Sequence, residues 1–169
     1  LKVLTGNFEQ AAAFGDILIL AVKGTVAIKV FGSINEDNVK GKTILDATNP
    51  IAEVPPVDGV LQYFTKQNES LAAELQKIQP TAHIVKAFNS VGAAHMYKPS
   101  FKNGKPTMFI CGNNEHAKTE AVEILDSFGW EVADMGSIEA AGAIESLGIL
   151  WCIKGFKEGT WNHAFKLLV

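Results

Sequence analysis

Hydrophobic residues along this chain fall into two patterns that alternate from one end to the other. Short, nearly continuous apolar runs at 16–22, 42–48 and 107–111 are typical of strands buried on both faces of a parallel sheet. Segments such as 71–78 and 117–128, where apolar residues recur every three or four positions, are typical of helices with one buried face. This alternation predicts a doubly wound, mainly parallel α/β sheet.

Polar residues at the boundaries of these segments predict where the helices begin. Asn7, followed by Gln10 three residues later, predicts a capping box that opens a short helix after a strand at 1–4. Side-chain caps are expected at four more helix starts, namely Thr25, Asn68, either Asn113 or Asn114, and Ser137. Residues 51–66 have no clean period, and we expect a long loop of the kind that often serves function.

The length and composition predict one domain. The chain has 169 residues, of which 47% are hydrophobic and 20% charged, enough for one core and too few for two full ones. We therefore expect a single domain over 1–169, with 137–169 as a C-terminal helical extension. The apolar stretch 144–156 suits a core position better than a dimer face, and a homodimer stays open as the alternative.

Charge and cysteine content narrow the partners and the compartment. The net charge is −3, and the fifteen lysines, with no arginine beside them, are scattered, so nucleic acid is not an expected partner. Cys111 and Cys152 lie far apart in apolar stretches, which favours free thiols in the cytoplasm. No apolar run reaches the roughly 18 residues of a membrane helix, so we expect no membrane partner.

Three strands break into loops of small and polar residues, at 17–24, 43–50 and 83–95. Parallel strands that end side by side line a crevice, which predicts a cofactor site. The turn Val22–Thr25 places backbone amides at a helix N-terminus, where phosphate oxygens are favoured, although an ordinary strand-to-helix connection explains it equally well. Lys23 could approach a phosphate or simply be solvated.

The second and third breaks carry polar side chains with their own alternatives. Thr48 and Asn49 could bind a ribose or a carboxamide, and Asn-Pro is also a common turn opener. Asp46 could be a general base, but a structural carboxylate that accepts backbone amides is favoured. In the third break, core packing is favoured over cofactor contact for Phe88, and a surface position over a catalytic role for His95.

Other chemistries find no motif. The four histidines show no close ligand spacing, so no metal site is predicted. GxSxG and GxxxxGK[ST] are absent, and so is GxGxxG. That last fingerprint belongs to a first βαβ unit of about 30 residues, and we expect this unit to lie before Leu1.

Four motifs in order resemble the NADP oxidoreductase family typified by coenzyme F-420 (deazaflavin)-dependent NADP reductase, to which the cytoplasmic domain of the Steap metalloreductases is similar. They are GKTILDATNP at 41–50, VKAFNSVG at 85–92, FICGNN at 109–114 and AIESL at 143–147. The resemblance extends over essentially the whole chain. It implies a Rossmann-like domain that binds NADP(H).

The resemblance also implies where the cofactor contacts the chain. Three groups of cofactor-binding residues are expected: Ala21, Val22 and Lys23 on the adenosine and pyrophosphate side; Thr48, Asn49 and Pro50 near the nicotinamide ribose; and Ala87, Phe88 and Asn89 as the floor beside the nicotinamide ring. The loop 54–64 would lie over the acceptor. Without arginine, any clamp for the 2′-phosphate must precede Leu1 or use lysine.

The activity implied is hydride transfer between the nicotinamide and a deazaflavin (coenzyme F-420), FMN or FAD, with ferric reductase activity as a further expectation. Such a transfer needs alignment of two rings more than an acid or base, so no catalytic residue is assigned. One alternative is a non-catalytic NADPH-binding or sensing module. An imine reductase is disfavoured because those enzymes add a long helical dimerisation region.

Overall fold

The computed structural model describes residues 3–169, in which five strands form one sheet with helices on both faces. The strands are β1 (Ile17–Leu20), β2 (Thr43–Asp46), β3 (His83–Lys86), β4 (Thr107–Gly112) and β5 (Glu131–Asp134). The helices are α1 (Phe8–Phe14), α2 (Gly24–Gly32), α3 (Leu71–Ile78), α4 (Glu115–Ser127) and α5 (Ala141–Glu158). Single 3₁₀ turns lie at Glu36–Asn38, Ala93–His95 and Ile138–Ala140.

The strand order follows the chain, from β1 at one edge to β5 at the other. The first three strands are parallel, β4 runs antiparallel to β3, and β5 is parallel to β4. The last residues of the three parallel strands, Leu20, Asp46 and Lys86, are register partners. Their carboxyl ends therefore meet at one edge, and the predicted mainly parallel α/β sheet is confirmed.

Successive side chains along the strands point to opposite faces of the sheet and belong to two separate hydrophobic cores. On one face, Ile44 and Ile84 pack with α1, α2, α3 and the start of α5. On the other, Leu45 and Val85 pack with α4 and with the segment that follows β3. Burial of this apolar surface provides the main driving force for the fold. Polar side chains near the strand ends, such as Asp46 and Lys86, are consequently buried.

Burial on both faces, expected for the apolar runs at 16–22, 42–48 and 107–111, is wrong for β1. Ile19 is 59% exposed, because among residues 3–169 only β2 pairs with this strand, which makes it an edge. The exposed rings of Phe8 and Phe14 lie beside it along an apolar groove. The predicted strand at 1–4 is not formed at Val3 and Leu4, and the other two residues lie outside the described part.

The helix caps show mixed outcomes. The capping box at α1 is confirmed, since Gln10 N donates to Asn7 Oδ1 at 2.8 Å, and Asn114 caps α4. Thr25 is wrong as a cap, because α2 begins one residue earlier, after Lys23. Asn68 is wrong too: its φ is +68°, and Ser70 caps α3. Ser137 precedes a 3₁₀ turn and makes no side-chain cap bond.

The segment between β2 and α3 forms an irregular hairpin. Ile51 bridges to Tyr63, and Val57 bridges to Val60 at the tip. The tip packs on α5, where a Cβ added to Gly59 would lie 3.2 Å from Phe156 Cβ. We call residues 51–63 the hairpin. It reaches over the carboxyl edge of β2, where the predicted site lies.

The last part of the chain is helical only to Glu158. Beyond it, residues 159–169 have no regular structure, and Trp161 packs against Trp151 of α5 with ring centroids 5.1 Å apart. Gly155 makes room for that ring, because an added Cβ would lie 2.2 Å from it. The helical extension predicted for 137–169 thus consists of a helix and a docked tail. None of the helices described between residues 3 and 169 combines the length and hydropathy needed to cross a membrane.

Candidate functional site

Three connections meet at the carboxyl edge of the parallel strands: the first turn (21–24), the second loop (47–50) and the third loop (87–90). Ala21 and Lys23 of the first turn are exposed, and Val22 is half-buried. The first turn touches the second loop through Gly24. A Cβ added to Gly24 would lie 1.9 Å from the backbone oxygen of Asn49, so only glycine allows this contact.

Lys23 is engaged with the hairpin. Its ammonium forms an ion pair with the Glu53 carboxylate, and both side chains are 64% exposed. The hydrogen bond from Lys23 lowers the pKa of Glu53. Because exposed ion pairs exchange readily with water and other ions, Lys23 can change partner. The pair connects the first turn to the hairpin.

The second and third loops are joined by a pair of asparagine side chains. Asn49 Nδ2 donates to the Asn89 carbonyl at 2.7 Å, and Asn89 Nδ2 donates to Asn49 Oδ1 at 3.1 Å. The Tyr63 hydroxyl lies 3.2 Å from Asn49 Oδ1 and 2.6 Å from the Glu145 carbonyl. Burial, together with the charge of Glu145, raises the pKa of Tyr63. The phenol therefore remains a neutral donor.

Asn89 has one atom with no partner. Its Nδ2 also donates to the Ile144 carbonyl at 2.9 Å, and the residue is 6% exposed. Its Oδ1 accepts no hydrogen bond from the part of the chain that the structure describes. A buried acceptor without a donor is costly. The oxygen is itself enclosed by protein atoms, so an outside donor could reach it only if the third loop moved.

Phe88 combines a buried ring with an unusual backbone. Its φ is +62°, in the left-handed region that costs a bulky residue about 1–2 kcal/mol. The ring is directed to the α4 face, where it packs 6.1 Å from Phe128, and the amide donates to Met108 Sδ at 3.1 Å. The core packing that the sequence favoured for this side chain is thus observed. Only the backbone at Phe88 is left to form the floor of a site.

A buried group of three charges lies beneath the second loop. We call Lys86, Asp46 and Glu145 the buried triad; each is at most 1% exposed. Lys86 Nζ lies 2.9 Å from Asp46 Oδ2 and 3.5 Å from Glu145 Oε1, and it also donates to the Thr48 carbonyl. Burial is the main cause that raises the pKa of Glu145, and the charge of Lys86 opposes it.

The two carboxylates of the triad also bind backbone. Asp46 Oδ1 accepts the Thr48 amide at 2.9 Å and the Thr48 hydroxyl at 2.7 Å, as expected of a structural carboxylate. Glu145 accepts the amides of Leu71 and Ala72, at 3.1 and 3.0 Å. These are the first two residues of α3, whose amides have no partner within the helix. The triad therefore ties two strand ends to α3 and α5.

The structure brings together most of the predicted site residues. Thr48, Asn49 and Pro50 lie beside Ala87 and Asn89, and Gly24 brings the first turn to them. His95 lies apart from this cluster and packs on Phe101 with centroids 4.9 Å apart. Three groups near the site were not predicted from the sequence, namely Lys86, Glu145 and Tyr63. Lys86 and Glu145 each lie inside an apolar segment, and this was the available signal. Because a buried charge is almost always paired, their positions could have predicted an ion pair.

The fold and the three meeting connections define an α/β domain of the Rossmann-like class. Within it, residues 1–50 match the model of a family described as NADP oxidoreductase, coenzyme F420-dependent. The chain is 29% identical over 111 residues to metalloreductase STEAP3 of Rattus norvegicus, a match covering 66% of this chain and 21% of that protein. For metalloreductase STEAP2 of Homo sapiens, the identity is 32% over 108 residues, covering 63% and 19%.

Solved structures give a wider match. A candidate F420-dependent NADP reductase from Arthrobacter sp. FB24 superposes with a TM-score of 0.88 and 28% identity, covering 96% of this chain and 73% of that one. A pyrroline carboxylate reductase of Plasmodium falciparum, at a TM-score of 0.52 and 16% identity over 94% of this chain and 53% of its own, shares the fold alone.

These findings confirm the resemblance predicted from the four motifs. The family model matches only the first 50 residues, a shorter stretch than the whole chain over which the motifs extend. The chain spans about a fifth of the length of the curated relatives it matches.

Proposed function

We propose that this chain serves an NADP-dependent oxidoreductase that passes hydride between a nicotinamide and a deazaflavin (coenzyme F-420) or flavin acceptor. The matched family and the similar structure support the cofactor class. The observation that carries the proposal is the Asn49–Asn89 pair, which joins two strand ends and leaves Asn89 Oδ1 without a donor. A nicotinamide carboxamide has the N–H group that this buried oxygen lacks, and would reach it through a movement of the third loop on binding.

The residues of the site would divide the work by position. Asn89 Oδ1 accepts the carboxamide N–H and orients the ring, while Thr48 and Pro50 line the neighbouring ribose. The first turn, at the N-terminus of α2, presents amides to the phosphates. When bound, NADP(H) supplies or accepts the hydride, and the residues contribute alignment and exclusion of water.

The hairpin provides the surface that an acceptor would meet. Three apolar side chains are exposed on it, those of Val54, Val57 and Val60. A cluster of exposed apolar side chains usually marks a surface that binds a ligand or a partner. We propose that a planar deazaflavin, FMN or FAD stacks beneath this hairpin against the nicotinamide. Ferric chelates are the further acceptor class to test, in view of the metalloreductase relatives.

One observation favours a second candidate, an NADPH-binding module without catalysis. The charged groups of the buried triad satisfy one another, and none is free to transfer a proton. Hydride transfer does not require such a group, so this observation does not exclude the enzyme. An open or covered nicotinamide face in the NADPH complex distinguishes the two.

Titration of the full-length protein with NADPH and NADH, followed by an acceptor screen, tests the proposal. We expect NADPH to bind and to be oxidised by a deazaflavin, FMN, FAD or a ferric chelate. Asn89→Ala should weaken NADPH binding about tenfold, because the carboxamide loses its acceptor. Asn103→Ala, in an exposed turn, is the matched control and should bind normally. NADPH binding without turnover of any acceptor would favour the sensing module, and no binding would refute both.

Cellular location and assembly are also proposals. Cys111 and Cys152 are free, and burial raises the pKa of the Cys111 thiol to about 12, which keeps it in its unreactive form. This supports a reducing compartment, and we propose the cytoplasm. In the apolar stretch of α5, Ile144 and Trp151 are buried, which supports a core position, whereas Leu150 and Phe156 are exposed and would suit a homodimer face.

A further inference from the structure

Lys86 occupies a position that is unusual for a lysine. Its side chain is 0% exposed, although a buried ammonium is tolerated only when it is paired and hydrogen-bonded. Replacing all members of a buried charged group together by apolar side chains of similar volume is often neutral or stabilising. Stability alone is therefore a weak explanation for a charge at this place, and the groups it contacts offer a better one.

The Thr48 carbonyl is the contact that relates Lys86 to the site. That carbonyl belongs to the peptide bond that joins Thr48 to Asn49, and it accepts a hydrogen bond from Lys86 Nζ. Asp46, the other close partner of Lys86, holds the amide and the hydroxyl of the same threonine. The ammonium therefore holds the Thr48–Asn49 peptide through its carbonyl, while the carboxylate holds the preceding Ala47–Thr48 peptide through its amide.

The same triad reaches Asn89 through α5. Glu145 lies 3.5 Å from Lys86, and its own carbonyl accepts the Tyr63 hydroxyl that faces Asn49 Oδ1. The preceding carbonyl, of Ile144, accepts Asn89 Nδ2. Both asparagines of the site therefore depend on groups next to the buried triad.

We propose that Lys86 is a positioning residue for the nicotinamide end of the site. Paired with Asp46 and Glu145, its ammonium holds the Thr48 carbonyl and so sets the position of the Asn49–Asn89 pair, next to which the nicotinamide carboxamide would bind. This inference rests on the proposed NADP(H) binding. It assigns to Lys86 no contact with the cofactor and no effect on the adenosine end.

The test compares two buried lysines. Lys86→Met removes the positioning ammonium. Lys118→Met is the matched control. Lys118 lies on α4, is 6% exposed, and pairs with Glu115 of the same helix and Asp134 of β5. In case Lys86→Met fails to fold, the neutral triple variant Asp46→Asn, Lys86→Met, Glu145→Gln leaves no buried charge unpaired.

Two readouts separate positioning from folding. The first is the side-chain amide NMR signals of Asn49 and Asn89 in the free protein. The second is the affinity for NADPH and for 2′,5′-ADP, which lacks the nicotinamide. In folded Lys86 variants we expect shifted or broadened amide signals and NADPH affinity about tenfold lower, with 2′,5′-ADP affinity changed less than about twofold.

Each outcome has a defined meaning. Lys118→Met should leave both readouts unchanged even if it lowers stability. Wild-type amide signals and NADPH affinity in a folded Lys86 variant would overturn the inference, as would equal losses in Lys118→Met. Failure of both Lys86 variants to fold would show that Lys86 serves folding alone, which also overturns it. If the wild type bound neither ligand, the proposed function would fail, whereas the NMR readout would still judge the positioning role.

Discussion

Two lysines near the carboxyl edge of the parallel strands make the same kind of contact in different surroundings. Lys23 in the first turn pairs with Glu53 in water, with both side chains 64% exposed, whereas Lys86 beneath the second loop pairs with Asp46 and Glu145 at 0% exposure. An exposed pair contributes little energy and exchanges, while a buried pair cannot be broken cheaply. One end of the site can therefore adapt to a ligand, and the other end is fixed before a ligand arrives.

The largest expected difference is in the free energy of unfolding when each lysine loses its charge. Lys86→Met should lower the free energy of unfolding by about 3–5 kcal/mol, because Asp46 and Glu145 are left as uncompensated buried carboxylates. Lys23→Met should cause no measurable change, because its partner stays hydrated. Urea denaturation of the two variants measures the difference. Similar losses in both would show that the two pairs do not differ as described.

A smaller effect is expected where the two ends touch. Gly24→Ala should destabilise the protein by about 2–3 kcal/mol, because the new Cβ would displace the backbone of Asn49. Gly32→Ala, at the other end of α2, is the control. Its Cβ would meet the Ile78 side chain at 3.1 Å, which can shift, and the cost should stay under about 1 kcal/mol.

Thermal unfolding and NADPH titration together check the glycine pair. Gly24→Ala should also weaken NADPH binding, since the first turn and the second loop would separate. If Gly24→Ala matched Gly32→Ala in both measurements, the close approach at Asn49 would have no part in holding the two ends together.

The smallest effects concern the exposed pair and ligand affinity. Lys23→Ala should weaken NADPH binding about threefold, since a phosphate at a helix N-terminus loses a nearby cation. Glu53→Ala should strengthen binding about twofold, because the competing carboxylate is gone. Lys154→Ala, which breaks the exposed pair with Glu158 on α5, is the control. Changes of the same sign in the first two variants would refute partner exchange at Lys23.

Local patterns allowed much of the fold to be predicted. The runs that became β2 and β4 are buried as expected, and the capping box at Asn7 forms because both of its partners lie within one helical turn. The exposure of β1 was not predictable, because an apolar run looks the same in an edge strand and in a central one. Which neighbour a strand has is a property of the whole sheet.

The meeting of the three strand ends was predictable from the sequence, but the contacts made there were not. Parallel strand ends gather at one edge by geometry, so Thr48, Asn49 and Asn89 were found together. Glu145 was missed because it binds Leu71, 74 residues earlier in the chain, and no local period records such a contact. The Glu145 carboxylate accepts the first two backbone amides of α3. Asn68 was expected to accept an amide at this helix start, so the contact with Glu145 explains in part why the Asn68 cap does not form.

Phe88 limits how this site could change by substitution. Its backbone conformation is the one that glycine adopts without cost, while its ring fills space beside Phe128 that glycine would leave empty. Replacement by glycine would thus relieve the backbone strain but leave a cavity where the ring was. Replacement by another large side chain would fill that space but retain the strain. Improvement at this position would require compensating changes in the neighbouring core, so single substitutions there have few routes to a more stable protein.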